Sequence, residues 1–115
     1  MKRLTQRADF LAAAGGVKVS AEAFLLQMRK RNDEGPARVG YTVSKKVGTA
    51  VERNRVRRRL REVVRLAGPG RTRAGHDYVL IGRRAALSLP FARMQRDFQD
   101  ALRRAHERRG SGTRS

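Results

Sequence analysis

The chain has 115 residues, enough for one domain with a single modest core. It carries 28 Lys and Arg against 10 Asp and Glu, for a net charge of +18, and it has no cysteine. These numbers exclude disulfides and thiolate metal sites, and they predict a polyanionic partner, nucleic acid ahead of an anionic membrane surface. Arginine supplies 23 of the 28 cations; a coding bias can exchange Lys for Arg, but it does not explain the shortage of acids. Leu, Ile, Val and Phe make up about 22% of the chain, which reads as folded but lean. No apolar run is long enough for a signal peptide or a bilayer span. The expectation is a soluble, cytoplasmic protein with neither a membrane nor a small-molecule partner.

In chain order, Thr5 is the expected N-cap of a short helix running to about Ala14 and closed by Gly15-Gly16. Val17 to Arg29 reads as a strand, with Phe24, Leu26 and Met28 on one face. Asn32-Asp33-Glu34-Gly35-Pro36 is turn chemistry, and Arg38 to Ser44 alternates as a second strand through Val39, Tyr41 and Val43. Together these two strands suggest an antiparallel hairpin with a long loop. Asp77 to Gly82 is nearly continuous in apolar residues, the pattern of an inner strand, with Asp77 assigned to turn chemistry at its start. Ser88 is the expected cap of a last helix with Pro90 in its first turn. Phe91, Met94, Phe98, Ala101, Leu102 and Ala105 form its packing stripe. The fold class is therefore α+β, a two-layer α/β sandwich. A small, mostly antiparallel sheet of about four strands carries packed helices in the order α-β-β-(β)-α-β-α. The expectation is a single nucleic-acid-binding (RNA-binding) domain over residues 1–107, with a disordered basic tail at 108–115.

The stretch from Ser44 to Arg65 dominates the chain. Thr49 followed by Glu52 is a capping box, so a helix begins at Ala50. Val56, Leu60, Val63, Val64 and Ala67 fall on one face, and nearly everything else is cationic. Arg53, Arg57 and Arg61 run along one edge, and Arg55, Arg58 and Arg59 along the other. Glu52 and Glu62 are too few to neutralise them by i,i+4 pairing. Lys45 and Lys46, beside the free N–H groups of the helix start, make a phosphate site. A docked helix with two basic flanks suits a protein that touches two RNA segments at once, by contacts that are steeply salt-sensitive.

Catalytic machinery does not emerge from the residues. His76 and His106 are far apart in sequence and each lacks a second ligand at metal spacing. No two of the ten acids form a pair suited to two-metal phosphodiester cleavage, and no phosphate loop or Gly-x-Ser-x-Gly appears. The chain reads as a binder with no catalytic and no metal residues of its own.

Arg53-Asn54-Arg55-Val56-Arg57-Arg58-Arg59-Leu60-Arg61, preceded by Val43-Ser44-Lys45-Lys46-Val47-Gly48, resembles the protein component of bacterial ribonuclease P. Asp9-Phe10, Arg38-Val39-Gly40 and Asp77-Tyr78-Val79 extend the likeness over roughly residues 3 to 105. The resemblance implies a subunit of a ribonucleoprotein endonuclease that removes the 5′ leader of precursor tRNA. In that family the RNA subunit, with Mg²⁺ held mainly by the RNA, performs the hydrolysis. By position it implies catalytic-RNA contacts at Arg53, Asn54, Arg55, Arg58 and Lys45, and a leader cleft at Phe10, Lys46, Arg57 and Arg61. It also implies a left-handed β-α-β crossover around the arginine helix, against the usual right-handed rule. Two positions depart from the pattern: Ala14 and Gln27 stand where many relatives carry aromatics, so leader binding is expected to rest more on charge. Two other readings of the residues are a small basic ribosomal protein and a self-sufficient metal-dependent nuclease.

Overall fold

The computed structural model describes residues 1–112, with side chains through Arg108. Two-residue strand β1 (Lys2–Arg3) leads into helix α1 (Arg7–Ala14). Strands β2 (Val17–Ser20), β3 (Phe24–Lys30) and β4 (Arg38–Thr42) follow. A 3₁₀ turn at Lys45–Val47 then opens into helix α2 (Ala50–Ala67). Strand β5 (His76–Gly82), a second 3₁₀ turn at Arg84–Leu87 and helix α3 (Phe91–Gly112) complete the chain. Of the basic tail expected at 108–115, residues 108–112 continue α3, and 113–115 lie outside the described residues.

The α+β class holds, with a different sheet inside it. Five strands lie in the order β1-β4-β5-β3-β2. β2–β3 and β3–β5 pair antiparallel, whereas β1–β4 and β4–β5 pair parallel. The sheet is therefore mixed, not mostly antiparallel. The run from Val17 to Arg29 is two strands, folded into a hairpin at Ala21–Ala23, where Ala21 N–H donates to the Phe24 carbonyl at 2.8 Å. The hairpin expected between β3 and β4 does not form, because β5 lies between them, paired from Arg38↔Asp77 to Thr42↔Ile81 on one side and from Phe24↔Gly82 to Lys30↔His76 on the other. Alternation correctly assigned each strand's two faces, but it carries no information about which strand lies beside it.

Two helix starts also differ from expectation. Gln6, not Thr5, is the N-cap of α1, and its side chain makes no capping bond. Ser88 closes the second 3₁₀ turn instead of opening α3. The Pro90 carbonyl accepts the first helical bonds there, from Arg93 N–H at 3.1 Å and Met94 N–H at 3.2 Å.

The main core lies between the sheet and the α2–α3 layer. Val56, Leu60, Val63, Val64 and Ala67 of α2 meet Met94, Phe98, Ala101, Leu102 and Ala105 of α3 above Phe24, Leu26, Met28, Tyr78 and Leu80. The two stripes read from periodicity are thus the buried faces, with Phe91 packed at the margin. On the opposite face α1 covers a smaller cluster of Leu4, Ala13 and Val79, flanked by Phe10 and Ile81.

Asp77 is the centre of a buried ion cluster, not a turn residue. Its side chain is fully buried. Arg38 donates to it from both Nε (2.8 Å) and an Nη (2.7 Å), Arg31 donates at 2.5 Å, and Arg29 stands 3.5 Å away. Burial alone pushes this carboxyl up, but the hydrogen bonds from Arg38 and Arg31 outweigh it and hold Asp77 below the usual carboxylate range. Its contribution to stability is therefore present above the ordinary carboxylate pKa and is lost as pH falls through the depressed value. Asp77→Asn removes the carboxylate that Arg31, Arg38 and Arg29 share, leaving Arg31 with Asp33 and Arg38 and Arg29 with Asp9; urea unfolding should show a loss of about 3 kcal/mol.

His76 and His106, distant in sequence, meet with ring centroids 5.2 Å apart. His106 Nε2 is 2.9 Å from the Tyr78 hydroxyl, which accepts from Arg73 N–H at 3.0 Å. Burial, with Arg73 and His76 nearby, lowers the His106 pKa to about 4. Between the ordinary value near 6.5 and about 4, the unfolded chain binds the proton that the folded one refuses. Thermal stability should therefore fall as pH drops from 6.5 to 4, and His106→Gln should flatten that slope in a melting series.

Candidate nucleic-acid interface

The helix that carries the arginines is fixed at its start. Thr49 Oγ1 accepts from Glu52 N–H at 3.2 Å, and Glu52 Oε1 accepts from Thr49 N–H at 2.9 Å, closing the expected capping box. Arg84 adds a brace from the turn after β5, donating to the Val47 carbonyl at 2.7 Å and to Glu52 Oε2 at 3.0 Å. Gly48, at φ 156°, makes room for this: a Cβ there would stand 2.3 Å from Glu52 Oε1 and 2.7 Å from an Arg84 Nη. Pulled by Thr49 N–H and Arg84, Glu52 is held below the usual carboxylate range. Thr49→Ala should lower stability by about 1 kcal/mol in urea titrations, the usual worth of an N-cap side chain.

The arginines of α2 separate into three groups. Arg55 and Arg58 are exposed, and neither has a hydrogen bond or an ion pair to a protein group among the described residues. Asn54 is exposed as well and accepts from Arg57 at 3.0 Å. Arg53 is half-buried and donates to the Gly48 carbonyl at 3.2 Å, while Arg59 turns toward α3 and donates to the Leu89 carbonyl at 2.5 Å. These two are partly structural. Arg57 and Arg61 face the edge of β4. Lys45 and Lys46 are both exposed on the 3₁₀ turn ahead of the helix.

A groove of about 330 Å³ opens beside that edge, lined by Arg3, Leu4, Thr5, Phe10, Tyr41, Arg57 and Arg61. It exists because β1 is so short. Lys2 N–H and Leu4 N–H donate to the Ala37 and Val39 carbonyls at 2.8 Å each, after which the chain turns away into α1 and leaves the rest of β4 without a strand on that side. Phe10 lies directly over Gly40, where an added Cβ would come within 2.6 Å of two ring carbons. Tyr41 is the second aromatic in the lining, with the Arg61 guanidinium 5.8 Å above its ring. Burial pushes the Tyr41 phenol up to about 12, against the opposite pull of Arg61 and Arg3, so its hydroxyl stays protonated. None of the lining residues is acidic.

Of the expected cleft residues, Phe10, Arg57 and Arg61 come together in this groove, and Lys46 is not among its lining residues. Sequence reading missed Tyr41 and Arg3. Tyr41 was legible only as one member of an alternating strand, and Arg3 sits in a strand too short to show a pattern. Gln27 is buried and Ala14 half-buried, and neither lines the groove.

Residues 1–106 match the family model described as Ribonuclease P. The chain belongs to the ribonuclease P protein family. It is 48% identical over 102 residues to the ribonuclease P protein component of Caulobacter vibrioides strain NA1000 / CB15N, covering 88% of this chain and 68% of that one. With the Ruegeria pomeroyi protein component it shares 50% identity over 107 residues, covering 90% and 85% of the two chains. The fold is similar to that of the Staphylococcus aureus ribonuclease P protein (TM-score 0.75, 27% identity, 91% and 95% coverage). It is also similar to that of the Thermotoga maritima protein (TM-score 0.74, 29% identity, 90% and 97% coverage). As a ribonuclease P protein, the chain is the protein component of an endoribonuclease holoenzyme of tRNA processing, and its partner is the ribonuclease P RNA. No helix among the described residues is long and apolar enough to cross a membrane.

Proposed function

We propose that this ribonuclease P protein holds two RNAs at once. The outward side of α2, with Arg55, Arg58, Asn54 and the adjoining Lys45, docks on the catalytic RNA, and Arg53 contributes from the helix start. The groove between α1 and α2 takes the single-stranded 5′ leader of precursor tRNA. The observation that carries this reading is the acid-free groove itself, in which two aromatic faces stand beside three guanidinium groups. Base stacking on rings and phosphate contact with arginines are the two interactions by which proteins hold single strands without reading sequence. Lys46, exposed on the turn ahead of α2, adds charge to the leader's approach without lining the groove.

Hydrolysis and its Mg²⁺ belong to the RNA subunit in this reading. The residues of this chain do not fit a metal site of their own: no three His, Asp or Glu converge among the described residues. Glu52 and Glu62 on α2 are each engaged by an arginine, Arg84 and Arg65. No step is therefore assigned to a metal on the protein. Its contribution is to offset phosphate repulsion between the two RNAs, so that less Mg²⁺ suffices, and to hold the leader so that the scissile bond meets the RNA active site.

The test is reconstitution with a bacterial ribonuclease P RNA at low Mg²⁺. Arg55→Ala combined with Arg58→Ala removes two unpaired cations without touching the helix cap. The salt dependence of RNA-subunit binding, plotted as log K against log salt, should become shallower by about 1.5–2. Cleavage at low Mg²⁺ should drop while cleavage at high Mg²⁺ recovers. An unchanged slope and full low-Mg²⁺ cleavage would remove α2 from its assigned role, and cleavage of precursor tRNA by the protein without RNA would overturn the division of labour.

A further inference from the structure

Helix α1 has little of its own to hold it in place. Eight residues are well short of the length at which a helix persists alone, its N-cap side chain makes no capping bond, and only Ala13 is fully buried. One charged side chain ties it to the sheet. Asp9 lies 3.3 Å from Arg38 of β4 and 3.9 Å from Arg29 of β3. Both arginines are already anchored on the buried Asp77. Three segments far apart in the chain, Asp9-Phe10, Arg38-Val39-Gly40 and Asp77-Tyr78-Val79, thus close on one another twice. Asp9, Arg38 and Asp77 join as ions, and the neighbouring Phe10 and Gly40 join as ring on backbone.

We propose that Asp9 is a positioning residue: through Arg38 and Arg29 it locks α1 to the buried Asp77 and so fixes where the Phe10 ring stands in the groove. This rests on the reading of that groove as the leader site. An isolated ion pair at this exposure contributes little, because two flexible side chains must be ordered to make it. Here both arginines are already ordered by Asp77, so Asp9 adds its charge without that cost. Asp9 touches no RNA in this scheme. Its effect passes through the one residue that follows it.

The experiment uses holoenzyme assembled from the full chain and a bacterial ribonuclease P RNA. It compares affinity for precursor tRNA carrying its leader with affinity for the same tRNA without one; the ratio is the gain due to the leader. Asp9→Asn should reduce that gain about fivefold, the order expected when one stacking face is displaced. Affinity for the RNA subunit and for leaderless tRNA should stay unchanged, and Asp9→Glu should retain most of the gain. A merely structural Asp9 would lower the melting temperature and every affinity together, leaving the ratio intact, and that result overturns the proposal. Phe10→Ala combined with Arg61→Ala separates the two readings. If this pair leaves the leader gain intact, the groove is not the leader site; if it abolishes the gain while Asp9→Asn does not, positioning by Asp9 alone is wrong. Should Asp9→Asn fail to fold, Arg29→Gln, which keeps Asp77 paired with Arg31 and Arg38, replaces it; with the Asp9–Arg38 pair intact, a smaller fall in the ratio is expected, and no fall at all overturns the proposal.

Discussion

The burial of one apolar stripe on α2 is what allows a helix of mutually repelling cations to exist in this fold. Val56, Leu60, Val63, Val64 and Ala67 are each at most 3% exposed. At about 1.5–3 kcal/mol for each large aliphatic side chain, this seam contributes on the order of 8 kcal/mol. Like-charged neighbours three or four residues apart each cost only about 0.2–0.5 kcal/mol, so the half-dozen arginine pairs on α2 cost on the order of 2 kcal/mol. Burial therefore wins with room to spare. The cap reinforces it, since Thr49, Glu52 and Arg84 hold the first turn where the exposed Lys45 and Lys46 join the helix. A disordered arginine tail would have the same charge, but it would lose far more conformational entropy on meeting RNA.

How much of this was legible in the sequence depends on whether the signal was local. The capping box, both apolar stripes and the inner strand at Asp77–Gly82 depend on residues a few positions apart, and they stand where the periodicity put them. Strand neighbours depend on contacts across the chain. Consecutive strands pair more often than not, which favoured a β3–β4 hairpin. That preference lost to the insertion of β5, whose Asp77 pairs in register with Arg38 on one side and Arg29 on the other. The decisive residue was visible, but an acid at the start of an apolar strand reads locally as turn chemistry. Its three arginine partners lie 39 to 48 positions away, beyond the reach of any local pattern.

The candidate site divides in the same manner. The outward arginines of α2 could be read from a helical wheel because they belong to one element. The groove could be read only in part, because it is built from four: the end of β1, the start of α1, the middle of β4 and one flank of α2. Tyr41 shows the difference. In sequence it is an alternating strand residue, and in the fold it stands at an edge that β1 leaves bare after pairing with Arg38 and Val39. Phe10 and Tyr41 are the two aromatic faces the groove has, set beside the guanidinium groups of Arg3, Arg57 and Arg61.

Two of these guanidinium groups link the two halves of the molecule. Arg57 and Arg61 belong to the same rigid helix as Arg55 and Arg58, so a strand held in the groove and an RNA held on the outward face have a fixed relation to each other through a single α-helix. The far wall of the groove is not part of that body. Phe10 rides on α1, which sits on the opposite face of the sheet from α2. The two walls keep a constant separation only if α1 is registered to the sheet, and the sheet to α2. The second of these is the hydrophobic core. The first is a half-buried ring over Gly40, one buried alanine and the Asp9–Arg38–Asp77 chain of charges, two of whose three members lie in the strands that flank and support α2. In a chain of net charge +18, Asp77 and Asp9 thus stand among the arginines of the sheet, where they set geometry.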